Sequence, residues 1–149
     1  MKCIVRNCND KQLKKHIKQA VNFYADKLMH KNFSNTLTVT VKFDEELGSQ
    51  YYAKVYPTDY FDPPHKKFMM QLNCDLKKPL LAIAHEMVHI RQYAKGELDT
   101  YHKTWKKSRV KKGLDYLELP WEKEAMRYEY RLYSEYKKKF NYSPKTGKV

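Results

Sequence analysis

The feature that most constrains this chain is a short apolar segment that carries chemically active side chains. Residues 80–90 are apolar except for His85, Glu86 and His89, which form the pattern His-Glu-Met-Val-His. A helix that is apolar on nearly every side is buried, and an unpaired polar group in such a helix costs several kcal/mol. The chain must therefore fold so that two imidazoles and a carboxylate find partners in its interior.

The spacing of these three residues indicates a metal site. On a helix, residues i and i+4 share a face, so His85 and His89 can bind one ion. Glu86 points about 100° away, where it can reach a metal-bound water without being a ligand. Two nitrogen ligands, an open position and a general base are typical of a zinc hydrolase. The alternative is a chance match on an ordinary helix, and the buried surroundings favour the metal.

The limits of this helix are also marked in the sequence. Asp75 is a candidate N-cap, and Pro79 is tolerated only in a first turn. Gly96 is a candidate C-terminal stop. The sequence therefore predicts a helix over about residues 75–93.

A hydrolytic zinc site needs a third protein ligand, and the candidates are Glu122, Glu124 and His102. Both glutamates follow Pro120 on a predicted helix, about 80° from the centre of its apolar stripe and on opposite flanks. The flank of Glu122 is largely apolar, whereas that of Glu124 is charged and predicts a solvated pair with Arg127. This difference favours Glu122 as the ligand.

His102 keeps a three-histidine site open as an alternative. It lies in the polar, basic stretch 101–107, where a histidine is more often exposed than bound to a metal.

Further motifs follow the helix in a recognisable order: Arg-Gln-Tyr at 91–93, Gly-Glu-Leu at 96–98, Trp-Lys at 105–106, Tyr116, and Leu-Pro-Trp-Glu-Lys-Glu-Ala at 119–125. Together they resemble small zincin-like metallopeptidases of viral and bacterial genomes, often described as SprT-like. The resemblance spans about residues 80–130. In zincins with a glutamate ligand, that glutamate often begins an E-x-x-A pattern, and Glu122 with Ala125 fits it. SprT-like proteases in the strict sense use a histidine followed by glycine, but Lys103 follows His102.

The resemblance implies a single α+β zincin domain over 1–149, with about 140–149 as a flexible tail. Periodicity predicts an amphipathic helix over 10–31, a half-buried strand over 35–44, and further strands over 51–56 and 68–73. A small mixed or antiparallel sheet would thus precede the motif helix and the glutamate helix. In zincins the strand before the motif helix often lies at the sheet edge above the zinc and pairs with an extended peptide. Residues 68–73 hold that place in the sequence.

The resemblance further implies one zinc ion per chain and hydrolysis of a peptide bond in a protein or peptide substrate. Glu86 would take the proton of the zinc-bound water. Asp99 and Glu97 are candidates to orient the ligand histidines. A donor to the transition state is also required, and the candidates are Tyr128, Tyr130 and Tyr133.

Composition supports a second hypothesis. The net charge is +13, from 30 basic and 17 acidic residues, with 13 tyrosines. Such a surface could bind a nucleic-acid backbone, either in a protease that acts on DNA-bound proteins or in a non-catalytic binder, although no recognition motif is present. A metallohydrolase of non-peptide bonds would use the same ligands.

The cellular location is predicted from what the sequence does not contain. Three cysteines without C-x-x-C spacing indicate reduced thiols, and no apolar run is long enough for a membrane span or a signal peptide. These features predict a cytoplasmic protein with no membrane association. The oligomeric state has no signal in the sequence.

Overall fold

The structure is a computed structural model that describes residues 1–45, 47, 52–59 and 64–144. Within these ranges the chain consists of helices and a small mixed sheet, consistent with the α+β class. In chain order the elements are β1 (Lys2–Arg6), α1 (Lys11–Leu28), α2 (Lys31–Ser34), β2 (Thr38–Asp44), β3 (Ala53–Pro57), β4 (Lys67–Asn73), α3 (Pro79–Ala94), β5 (Thr104–Trp105), β6 (Ser108–Arg109), a 3-10 helix (Tyr116–Glu118) and α4 (Pro120–Phe140).

The main sheet is mixed and has the strand order β1-β2-β4-β3. Strands β1, β2 and β4 are parallel, and β3 runs antiparallel to β4. Alternate residues of β2 are buried, which confirms the half-buried strand predicted there. The sequence analysis did not predict β1, in which only Val5 of the five residues is buried, so that it lacks the alternation seen in β2.

The edge position predicted for residues 68–73 is wrong. Strand β4 pairs with β2 on one side and with β3 on the other, so it lies inside the sheet. The apolar side chains of Phe68, Met70 and Leu72 lie on the buried face of β4. In the described part of the chain, β3 is the edge strand on that side, and it lines the cleft beside the motif helix. Periodicity gives the faces of a strand but not its neighbours, which is why the order could not be predicted.

Helix α1 packs against α3, α4 and β1. The side chain of Asp10 caps it by accepting a hydrogen bond from the backbone N–H of Leu13 at 3.1 Å. Deeper in the core, the Tyr24 hydroxyl donates to the carbonyl of Leu80, 2.9 Å away, in the first turn of α3. The helix ends three residues before the predicted boundary because Met29 has extended backbone.

Helix α3 is buried along most of its length, as the apolar sequence predicts. Pro79 is in its first turn and Gly96 follows its last turn with a φ of 71°, which confirms both predictions. The predicted cap at Asp75 is wrong. Residues 73–76 form a turn in which Leu76 donates to the carbonyl of Asn73, so the helix begins only after Lys78.

Helix α4 begins at Pro120, as predicted, and ends at Phe140. At the start of the segment predicted as a flexible tail, the ring of Tyr142 packs 4.8 Å from that of His16 and 5.8 Å from that of Tyr136. Residues 145–149 lie outside the described residues. None of the helices in the described ranges combines the length and apolar content that a bilayer span requires.

Candidate metal centre

Three side chains from two helices form a compact donor cluster. His85 and His89 lie one turn apart on α3, and Glu122 lies in the first turn of α4, which packs along α3. The carboxylate Oε1 of Glu122 is 2.9 Å from Nε2 of His85 and 3.2 Å from Nε2 of His89, and the two Nε2 atoms are 3.2 Å apart. One ligand atom from each residue lies within 4.8 Å of the others, so the cluster could hold a metal ion.

The outer nitrogen of each imidazole has its own acceptor. Nδ1 of His85 is 2.8 Å from the Oε2 of Glu129, and Nδ1 of His89 is 2.7 Å from the Oε1 of Gln92. The Gln92 amide is oriented by its nitrogen, which donates to the carbonyl of Trp121 at 3.1 Å. A carboxylate and an amide oxygen can only accept, so the proton of each neutral imidazole is on Nδ1. The lone pair of each Nε2 then points into the cluster.

This arrangement can hold a cation at its centre. Two imidazole nitrogens and a carboxylate oxygen converge there at hydrogen-bond distance. Burial lowers the pKa of His85, but hydrogen bonds with Glu122 and Glu129 outweigh it and raise that pKa to about 10. A proton can therefore fill the centre, and a metal ion fits it with all three donors at once. The residues fit a metal with mixed nitrogen and oxygen ligands.

Glu86 stands apart from the cluster but shares its cleft. The cleft has a volume of about 190 Å³ and is lined by Glu86, His89 and Glu122 together with part of strand β3. Glu86 is only 6% exposed, and burial raises the pKa of its carboxyl. A buried carboxylate with a raised pKa is suited to accept a proton near neutral pH.

A tyrosine that the sequence analysis did not select lies at the mouth of the cleft. The Tyr116 hydroxyl donates to the Oε1 of Glu122 at 2.7 Å, although the residue as a whole is 60% exposed. It belongs to the 3-10 helix just before α4, six residues from Glu122. Tyr116 is among the motifs that carry the zincin resemblance, but that segment has no clear periodicity and the sequence analysis assigned this residue no role.

The three tyrosines predicted as donors lie elsewhere. Tyr128 lies beneath the guanidinium of Arg91, 5.4 Å from ring centre to carbon. Tyr130 is 62% exposed, and Tyr133 is buried at 3% exposure. None of these tyrosines lines the cleft with Glu86.

The solvated position predicted for Glu124 is wrong. Glu124 is 5% exposed, nearly as buried as Glu122 at 7%, and its partners are on other elements. Its carboxylate accepts from Arg91 and from Gln92, and lies 3.6 Å from Nζ of Lys106. The charged flank of α4 faces α3 at this point, so Arg91 replaces the expected Arg127. Glu124 is not part of the donor cluster.

His102, the alternative third ligand, also lies outside the donor cluster. Its Nε2 is 2.6 Å from the hydroxyl of Tyr93, and its ring stacks on that tyrosine at the side of the cleft. The predicted orienting residues serve other purposes: Asp99 accepts backbone N–H groups of residues 103 and 104, and Glu97 lies 3.9 Å from Arg91. Glu129 and Gln92 contact the imidazoles instead.

Comparisons with protein-family models, with curated proteins and with solved structures find no match to this chain.

Glu129 offers a test of how far the outer contacts hold the cluster. We expect Glu129→Gln to weaken zinc binding by about 10- to 100-fold. The neutral amide oxygen of glutamine is a weaker acceptor than the carboxylate that fixes the Nδ1 proton of His85. Competition titration with a zinc chelator measures the loss. Glu135→Gln, on the solvent side of the same helix, is the matched control and should bind zinc like the wild type. Equal affinities in the two variants would contradict the assigned role of Glu129.

Proposed function

We propose that this protein is a zinc-dependent metallopeptidase in which His85, His89 and Glu122 hold the ion and Glu86 is the general base. The observation that carries the proposal is the buried donor cluster, in which two imidazole nitrogens and a carboxylate oxygen lie 2.9–3.2 Å from one another. Two imidazoles and one carboxylate are a donor set of catalytic zinc sites, which leave a coordination position open. Structural zinc sites use four protein ligands, and the cluster has three among the residues that the structure describes.

When bound, zinc would supply a Lewis acid and an activated water. Glu86 would accept a proton of the water as its oxygen bonds to the scissile carbonyl carbon, because the buried carboxyl has a raised pKa and lines the same cleft. It would then pass that proton to the amine nitrogen as the C–N bond breaks. Glu129 and Gln92 keep the Nδ1 protons in place, so both imidazoles stay neutral ligands throughout.

The edge strand favours a peptide over other hydrolysable substrates. Ala53, Lys54 and Val55 of β3 line the cleft beside Glu86. In the described part of the chain, one edge of β3 pairs with β4 and the other has no strand beside it. An extended polypeptide can bind such an edge through backbone hydrogen bonds. Its scissile carbonyl would then lie over the metal cluster.

Metal content and peptide turnover test this function together. Tag-free protein dialysed without chelator should contain about one zinc per chain by elemental mass spectrometry. It should cut a library of quenched fluorescent peptides, lose activity on chelation and regain it on addition of zinc. Protein that neither contains nor takes up zinc would contradict the proposal, as would a zinc-loaded protein that cuts no peptide.

Tyr116 is the residue best placed to stabilise the transition state. Its hydroxyl already reaches an oxygen of the candidate ligand Glu122, so it can donate to a developing oxyanion nearby. We expect Tyr116→Phe to lower kcat by about 100- to 1,000-fold, the usual loss for one such donor, with zinc content unchanged. Tyr130→Phe, an exposed tyrosine of α4, is the control. A kcat within twofold of wild type in Tyr116→Phe would remove Tyr116 from the mechanism.

A further inference from the structure

A strongly basic hairpin projects beside the candidate active site. Residues 103–112, here called the basic hairpin, contain six lysines and arginines and no acidic residue. Strands β5 and β6 form its stem, and Lys106 and Lys107 form the two-residue turn between them. Lys103, Lys107 and Arg109 are exposed. This density of charge is higher than solubility requires of one short hairpin.

The turn holds lysines in a conformation that disfavours them. Lys106 and Lys107 have φ angles of 49° and 71°, in the left-handed region where asparagine and glycine are the usual residues of such turns. Lys106 has structural partners, since its Nζ lies 3.6 Å from Glu124 and 5.1 Å from the centre of the Trp105 ring. For Lys107, no ion pair is found among the described residues. Its presence in a strained position therefore indicates a role outside the fold.

The hairpin is fixed to the wall of the cleft. Trp105 packs against Trp121, with ring centres 6.4 Å apart, and pairs with Leu98 in an isolated bridge. Leu98, His102 and Trp121 all line the cleft. Because Lys103 directly follows His102, the positive charge begins at the cleft itself. Lys54 of the edge strand also lines the cleft and is exposed.

The nearby carboxylates have partners other than the exposed cations of the hairpin. Glu124 is bound by Arg91 and Gln92, and Asp99 accepts the backbone N–H groups at the root of the hairpin. Asp115 and Glu118 form a capping box with each other. Lys103, Lys107 and Arg109 form no ion pair within the ranges that the structure describes. These three side chains can therefore pair with acidic groups of a ligand.

From this arrangement we infer that the basic hairpin selects acidic substrates: polypeptide segments with aspartate or glutamate a few residues from the scissile bond. The inference rests on the proposed peptidase function. A chain extended along β3 can form backbone hydrogen bonds with the edge strand and extend its acidic side chains to Lys54 and the hairpin. A nucleic-acid strand has the same charge but no peptide groups to pair with that edge. The combination of edge and charge thus favours a polypeptide.

Paired peptides test the selection directly. Two labelled peptides share one cleavage site and differ only in three flanking residues, aspartate in one and asparagine in the other. Three exposed ion pairs together are worth about tenfold in affinity at low salt. We expect zinc-loaded wild type to show a preference of about this size for the aspartate peptide in kcat/KM, and 0.3 M salt to reduce it, because screening is then strong.

Charge-matched variants locate the effect. The hairpin variant carries Lys103→Gln, Lys107→Gln and Arg109→Gln, and the control variant carries Lys11→Gln, Lys15→Gln and Lys18→Gln on exposed positions of α1. The preference should fall to about twofold or less in the hairpin variant and stay at about tenfold in the control. An equal loss in both variants, or no preference in wild type, would overturn the inference while the peptidase function stands.

Binding separates failure of the inference from failure of the function. Fluorescence anisotropy of the same peptides on zinc-loaded Glu86→Gln protein needs no turnover and should show the same preference. If zinc-loaded wild type cuts neither peptide, the proposed function fails, and with it the substrate selection. If a single-stranded oligonucleotide binds through the hairpin and the aspartate peptide does not, the surface binds nucleic acid and the inference is wrong.

A single substitution guards against misfolding of the triple variant. Lys107→Gly relieves the left-handed strain, so its thermal midpoint should be at or above that of wild type. Its preference for the aspartate peptide should nevertheless fall, by about twofold for one exposed pair. A lysine with a purely structural role would produce the opposite pattern, with lower stability and unchanged preference.

Discussion

Replacing Glu86 by glutamine should abolish peptide hydrolysis while about one zinc ion stays bound to each chain. A general base contributes about 100- to 10,000-fold to the rate, and the glutamine amide cannot accept the proton. Glu86 is outside the donor cluster, so zinc affinity should not fall. The carboxylate is buried at 6% exposure, and a neutral amide of the same size avoids its desolvation. The variant should therefore be at least as stable as wild type.

Three measurements on the same preparation check this prediction. Initial rates on a quenched peptide give turnover, elemental mass spectrometry gives zinc, and thermal unfolding of the zinc-loaded protein gives stability. Glu45→Gln, at an exposed position after β2, is the matched control and should change none of them. A turnover within a few fold of wild type in Glu86→Gln would exclude Glu86 as the base. Loss of zinc from that variant would place Glu86 among the ligands instead.

Local patterns in the sequence predicted the elements that hold the candidate site. The apolar run of α3, the alternation in β2 and the apolar stripe on α4 can each be recognised within one segment of the sequence. The structure contains all three elements. The order of strands in the sheet depends on contacts between distant segments, which no local period contains. This is why β4 was expected at the edge and β3 holds that position.

The choice between Glu122 and Glu124 shows a similar limit. The sequence favoured Glu122 because its flank is less charged, but the structure buries both carboxylates. What separates them is their partners on α3, since Glu122 faces the two histidines and Glu124 faces Arg91. The sequence of one helix shows which residues point in the same direction. The residues on the facing helix determine whether a buried carboxylate forms an ion pair or could bind a metal.

The spacing of Glu129 and Gln92 in the sequence is consistent with their contacts to the two histidines, but this is clear only once the packing of α3 against α4 is known. Glu129 follows Glu122 by seven residues, two helical turns, so both lie on one face of α4. Gln92 follows His89 by three residues and can bond back to it on the same helix. Tyr116 lacks such a signal, because it precedes α4 in a short 3-10 helix whose direction is set by its own capping box.

Removing Glu122 and removing Glu124 should have opposite consequences, and the contrast identifies the third ligand. We expect Glu122→Ala to lose zinc affinity by more than about 100-fold, beyond what outer contacts contribute, because two imidazoles alone remain. Glu124→Ala should keep about one zinc ion per chain but lose about 3 kcal/mol of unfolding free energy, since it leaves the buried guanidinium of Arg91 without its closest carboxylate. His102→Ala should keep its zinc as well.

The measurements are zinc content after dialysis and chemical denaturation of each variant with the metal removed. Without metal, Glu122→Ala should also be destabilised, because it removes the carboxylate that hydrogen-bonds both histidines, so zinc content is the measurement that separates the two variants. If His102→Ala loses the ion and Glu122→Ala retains it, the site has three histidine ligands, and residues 101–102 must move to bring His102 from Tyr93 to the ion. The contrast also shows which of the two neighbouring glutamates, Glu122 or Glu124, is a metal ligand and which forms a buried ion pair.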